Sequence, residues 1–207
     1  MADAKIWTVS SVRSALVDRD PLSREHGDFD YNPHLTDHIR NNARTDAAVL
    51  IGLTDSDDPH VYLTQRTKSL RTHSGQIAFP GGKIDPEDAD SVSAAMRECE
   101  EEIGIRRDEL DLIGELPVYI SGSGFRISPV VARVSHAARV KANPDEVDNV
   151  FTVPLDFLMR EENYKLVSRF WNGNERFFYE VPYHDRYIWG VTAGISRMMA
   201  IWLGEKD

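Results

Sequence analysis

The chain has 207 residues, with 24 Lys+Arg against 34 Asp+Glu and a formal net charge of −10. A chain of that length buries enough surface to fold without disulfides or structural zinc, and the single Cys99 could supply neither. The acidic excess argues against a broad grip on nucleic acid or an anionic membrane, while leaving room for a small basic pocket that takes a phosphorylated metabolite.

Residues 1–45 read as a helical and irregular extension: a helix near Ser11–Val17, then the turn-rich DRDPLSREHGDFDYNPHL. Its first twenty residues are charged throughout and hold no apolar run, so no secretory signal is expected and the chain reads as cytoplasmic. The apolar DAAVLIGL (46–53) predicts a buried strand, DSDDPH (55–60) a turn, and VYLTQR (61–66) a second strand of a hairpin. The segment THSGQIAFPGGKIDPED has two glycine clusters that no regular element would tolerate. A helix is predicted from a cap at Asp88 or Asp90 to about Ile103, with Gly104 as its terminating residue. Further strands are expected at 111–116, 127–134, 148–153 and 176–182, and short helices near 155–160 and 191–203. Tyr187 to Leu203 is the least charged stretch, but Arg197 and two glycines interrupt it, so it predicts a buried terminal helix and no membrane span. Strands and helices intermix, which favours α/β or α+β.

The chemistry concentrates in 63–105. On a helix, Glu98, Glu101 and Glu102 stand at i, i+3 and i+4 and share a face. Like charges so placed repel, and a hard divalent cation with oxygen ligands would offset the repulsion; the alternative is a solvated acidic face. Just before the helix, Gly81 and Gly82 in FPGG would let a backbone carbonyl approach a ligand. Such a loop–helix unit suits metal-assisted attack on a phosphate.

The segment resembles the Nudix box, G-x5-E-x7-R-E-U-x-E-E-x-G-U, through Gly82 and then Arg97-Glu98-Cys99-Glu100-Glu101-Glu102-Ile103-Gly104-Ile105. Asp88 stands for the early Glu, eight residues rather than seven separate it from Arg97, and Cys99 fills an aliphatic position as packing. The insertion resembles the coenzyme A pyrophosphatase branch. So does an upstream signature: Leu63, Thr64, Arg66, Arg71, Gly75 and Phe79-Pro80-Gly81-Gly82 fall at that branch's spacing.

The resemblance implies a Nudix domain over 46–207, an α/β/α sandwich around a mixed β-sheet. It implies Mg²⁺ or Mn²⁺ held by Glu98 and Glu102, with Glu101 and the Gly81 carbonyl as further ligands. Arg97 would pair with Asp88 or Glu101. Glu146 is the candidate catalytic base or extra ligand from a later loop, its alternative being a solvated loop acid. Arg66 and Arg71 would contact the pyrophosphate or a ribose phosphate, or else pair with acids of the fold. His73 reads as incidental, and Tyr187 and Trp189 as core rather than base-stacking residues. The implied reaction cleaves coenzyme A or its thioesters to 3′,5′-ADP and 4′-phosphopantetheine or its acyl form. Rivals are the same chemistry on ADP-ribose, NADH or a dinucleoside polyphosphate, and a non-catalytic nucleotide sensor. The expected partner is thus a small CoA-like nucleotide, with no nucleic acid or membrane. Residues 1–45 are left two roles, a contact in a homodimer or a cover over the site.

Overall fold

The computed structural model describes residues 6–17, 19–67, 75–171 and 173–204. Its helices are α1 Val9–Val17, α2 Thr36–Asn42, α3 Ser91–Ile103, α4 Leu155–Leu158 and α5 Val191–Gly204. The strands of the first half are β1 His26–Gly27, β2 Thr45–Thr54, β3 His60–Arg66, β4 Ile77–Ala78 and β5 Gly81–Lys83. Those of the second are β6 Leu110–Glu115, β7 Tyr119–Ile120, β8 Phe125–Val134, β9 Val147–Pro154, β10 Lys165–Trp171, β11 Asn174–Tyr183 and β12 Arg186–Trp189.

A parallel pair, β2 and β8, forms the spine, in register from Thr45 opposite Phe125 to Thr54 opposite Val134. Both are apolar on both faces, as strands covered from two sides must be. On one face Ala47, Ile51, Leu53, Ile127 and Val131 pack with Val12 and Leu16 of α1 and Ile195 and Met199 of α5. On the other, Ala48, Leu50, Val130, Ala132 and Val134 pack under Ala94, Ala95, Cys99 and Ile103 of α3. The result is the α/β/α sandwich around a mixed sheet. The main sheet runs β1-β7-β8-β2-β3-β4, with β5 on β2, β6 on β8 and β9 on β3, and β10-β11-β12 form a separate antiparallel sheet.

What positions the site is a split in this sheet. The hairpin strands β2 and β3 pair only at Leu53 opposite Val61. Beyond that point β3 turns to β4, through Thr64 opposite Ala78, while β2 pairs β5 through Val49 opposite Gly81. The Phe79-Pro80 link between β4 and β5 fills the wedge, tied down by Leu50 N–H donating to Pro80 O at 2.8 Å. The expectation that no regular element crosses 72–88 is therefore corrected at β4 and β5: glycines 81 and 82, lacking side chains, can pair edge-on with β2.

The strands and helices expected elsewhere are present within a few residues of their bounds. Strand β10 was not foreseen, because it is exposed almost throughout and shows no apolar alternation. The first 45 residues do more than trail: Trp7, Val12 and Leu16 join the main core, and β1 pairs β7 in parallel. Among the described residues no helix is long and apolar enough to cross a membrane.

Candidate active site

The acidic helix begins at Asp90, whose side chain accepts from Ser93 N–H at 2.7 Å, and stops at Gly104, left-handed at φ 74°. Asp88, the other candidate cap, is engaged elsewhere. Ala95, Cys99 and Ile103 recur every fourth residue and are buried against the sheet. Glu98 and Glu102 each precede a member of that stripe by one residue, so they lie along its border and are drawn inward. Burial raises the Cys99 thiol to about 12, so it is an inert packing residue.

Glu98 lies against Gly82, where a Cβ would collide with its carboxylate. Glu102 is only 1% exposed. Its Oε2 accepts from Gly81 N–H at 3.3 Å and its Oε1 from Arg66 Nη1 at 3.2 Å. The FPGG turn thus presents the Gly81 amide to one carboxylate and a side-chain-free surface to the other. Burial pushes the Glu102 carboxyl up to about 7 against the pull of Arg66 and the Gly81 amide, with Glu98 and Glu146 adding repulsion. Burial raises Glu98 too; Arg97 opposes this, and Glu101 and Glu146 add to it.

Arg97 ties helix to loop. It grips Asp88 through Nε and Nη2 at 3.0 and 2.8 Å. Its Nη1 also reaches Glu98 at 3.0 Å and Glu101 at 3.1 Å, and Nη2 donates to Lys83 O at 3.1 Å. Both partners expected for it, Asp88 and Glu101, are engaged at once, and Arg97 holds the Asp88 carboxyl below its ordinary value. Glu101 is 53% exposed and turned to the solvent side of Arg97.

Glu146 belongs to a loop laced to the end of α3, its carboxylate accepting from Asn143 Nδ2 at 3.5 Å. Lys141 N–H donates to Ile103 O and Asn143 N–H to Glu102 O, while Glu146 O accepts from Thr67 N–H. Its charge is felt by both Glu98 and Glu102. Arg71 and His73 lie outside the described residues.

Among the described residues no three His, Cys, Asp or Glu side chains already stand in coordinating array; arginines compensate the charge instead. The donor set nonetheless suits a hard cation. Glu98 and Glu102 are carboxylates held out of water, one turn apart, repelling each other and Glu146, and each carries a raised pKa that a divalent ion would reverse.

Beside the glycine turn opens a cavity of about 680 Å³. Arg66, Gly81, Gly82 and Lys83 form its edge by the acidic helix, and Arg169, Arg176, Phe178 and Trp189 line it on the side of the small sheet. Trp189 therefore faces a cavity rather than the core, and Tyr187 is exposed. Sequence reading passed over Arg169, Arg176 and Phe178; the signal was the interleaving of arginine and aromatic residues in RFWNGNERFFYE (169–180).

The profile of the NUDIX domain matches residues 43–170. The chain is 39% identical over 160 residues to a protein of Cronobacter sakazakii described as an uncharacterized Nudix hydrolase NudL, covering 77% of this chain and 83% of that one. It is 38% identical over 160 residues to the NudL of Escherichia coli K12, with the same coverage of 77% and 83%. Two solved structures align over about half the chain. One is a C. elegans Ap4A hydrolase binary complex (TM-score 0.46, 22% identity, 53% of this chain and 80% of that one). The other is the MutT protein from Methanosarcina mazei (TM-score 0.44, 22% identity, 56% and 80%).

Proposed function

Because the chain belongs to the NUDIX domain family, whose hydrolases act on phosphoric anhydride bonds of small nucleotides, generally with Mg²⁺ or Mn²⁺, we propose that it cleaves the pyrophosphate of coenzyme A or its thioesters. One observation carries the reading: two desolvated carboxylates, Glu98 and Glu102, border a glycine turn that opens on a basic and aromatic cavity. The upstream residues Leu63, Thr64, Arg66, Gly75 and Phe79, which match the coenzyme A pyrophosphatase signature, support the choice of substrate.

In this reading Glu98 and Glu102 hold the cation, with Glu101 and the Gly81 carbonyl as further oxygen donors. When bound, the divalent ion supplies Lewis-acid polarisation of the phosphate oxygens. Arg66 offers its guanidinium to the diphosphate from the cavity wall while its charge opposes the upward push of burial on Glu102. Glu146 accepts the proton of the attacking water. A new P–O bond forms, the bridging P–O bond breaks, and the products are 3′,5′-ADP and 4′-phosphopantetheine or its acyl form. Arg97 keeps Glu98 and the Asp88 loop in place.

The test is turnover of coenzyme A with Mg²⁺ and with Mn²⁺, products identified by mass, beside ADP-ribose, NADH and a dinucleoside polyphosphate. Coenzyme A cleaved with the highest kcat/KM is the expected result; preference for another member of the panel replaces the substrate, and no hydrolysis at all rejects the enzyme.

A further inference from the structure

The three-stranded sheet carries charge that cleavage of a diphosphate does not use. Residues opposite one another on paired strands share a face, as do residues two apart along a strand. Arg169 of β10 is directly opposite Arg176 of β11. Phe178 and Glu180 follow Arg176 on that face, with Trp189 of β12 opposite Glu180. Arg169, Arg176, Phe178 and Trp189 all line the cavity.

Like charges in directly opposed cross-strand positions destabilise a sheet, so the arrangement needs an offset. Neither guanidinium makes an ion pair with a carboxylate among the described residues. The Nε of Arg176 is buried with no hydrogen-bond partner. Asp28 lies on the same cavity wall, but it accepts from the Tyr31 and Tyr119 hydroxyls at 2.6 Å each and from Gly122 N–H at 2.7 Å. Arg169 instead lies over the Phe178 and Trp189 rings, 5.6 and 5.9 Å from their centroids. In a chain of net charge −10, two opposed cations turned into a cavity beside two aromatic faces form a position for an anion attached to a ring.

We infer that Arg169 and Arg176 hold a ribose phosphomonoester of the nucleotide while its base lies against Phe178 and Trp189. This anion position is separate from the diphosphate position at Arg66. The inference rests on the coenzyme A reading above and deepens it by naming the residues that read the further phosphate on the ribose. Arg169 lies at the very end of the match to the NUDIX domain, which stops at residue 170, and Arg176, Phe178 and Trp189 lie beyond it, so most of the position falls outside the matched segment.

The test is calorimetric titration of the metal-free full chain with 3′,5′-ADP, 5′-AMP and inorganic phosphate, so that hydrolysis plays no part. The expected result is 3′,5′-ADP bound at least about tenfold more tightly than 5′-AMP or phosphate alone, the scale of one charge-assisted hydrogen bond. Arg169→Gln and Arg176→Gln should each lower that preference by about tenfold, with melting curves showing the fold retained. Equal affinity for 3′,5′-ADP and 5′-AMP, a preference that survives both substitutions, or no binding of either nucleotide would overturn the inference. Coenzyme A turnover reads the other claim separately. A phosphate preference without hydrolysis ends the hydrolase reading and leaves the anion position standing, whereas hydrolysis without the preference does the reverse.

Discussion

Arg66, the last residue of β3, donates to the buried carboxylate of Glu102 on α3 across 3.2 Å, and its other side faces the cavity. The pair stands where the strands of the hairpin part, so a single guanidinium meets both the acidic helix and whatever enters the cavity. It does not fully neutralise its partner: burial still raises Glu102 from 4.5 to about 7.

That residual penalty has a sign that can be measured without metal. A carboxyl whose pKa is higher in the folded than in the unfolded chain binds its proton more tightly when folded. Its contribution to stability is fully present below 4.5 and is lost as pH rises through about 7. In a chelating buffer, the denaturation midpoint of the wild type should therefore fall between about pH 5 and about pH 8 more steeply than that of Glu102→Gln, which cannot titrate. Parallel profiles would show that Glu102 is ordinarily ionised.

Glu98→Gln and Glu102→Gln keep side-chain volume while removing charge. Each should lower kcat on the preferred diphosphate by about 10²–10⁴, the range for loss of a positioned acid–base or charged group, with the folded state intact by circular dichroism. Undiminished hydrolysis in both variants rejects their assignment to the cation.

How much of this was legible beforehand depends on the kind of signal each part leaves. The spine strands were readable because β2 and β8 are apolar on both faces, and α3 because Asp90, the Ala95–Cys99–Ile103 stripe and Gly104 mark its start, face and end. The Glu98–Glu102 stripe could be placed on one helix from spacing alone. The depth of Glu102 against the exposure of Glu101 could not, since it depends on which side of the helix meets the glycine turn. Strands β4 and β5 were invisible because they pair through backbone in a wedge that exists only once β2 and β3 diverge. Arg169 was hidden because β10, exposed almost throughout, has no apolar period; Arg176 falls in the expected 176–182 strand, but its opposition to Arg169 is a matter of register that the sequence does not show.

The helix cap offers a test that touches stability and leaves the chemistry alone. The Asp90 side chain accepts from Ser93 N–H at 2.7 Å, satisfying a backbone donor that the first turn would otherwise leave to water. Asp90→Ala should cost about 1 kcal/mol in urea unfolding, and Asp90→Asn only a fraction of that, because Asn caps nearly as well. Equal losses in the two variants would mean that the charge, rather than the cap, is what stabilises.

The two glycines of the turn should fail in different ways when given a methyl group. At Gly81 a Cβ would meet the backbone of Ala48 and Val49 in β2, which cannot yield without disturbing the spine. Gly81→Ala should therefore destabilise the fold by about 1–3 kcal/mol, the usual cost of forcing atoms into packed structure. At Gly82 the three atoms nearest to the Cβ would all belong to the Glu98 carboxylate, the far end of a flexible side chain. That group can swing away, so Gly82→Ala should melt near the wild-type temperature while losing turnover and divalent-ion affinity, about tenfold or more for a displaced ligand. Melting curves and Mn²⁺ titration on the two variants separate these outcomes. A Gly82→Ala protein with both metal affinity and turnover intact would show that Glu98 has no need of the bare turn beside it.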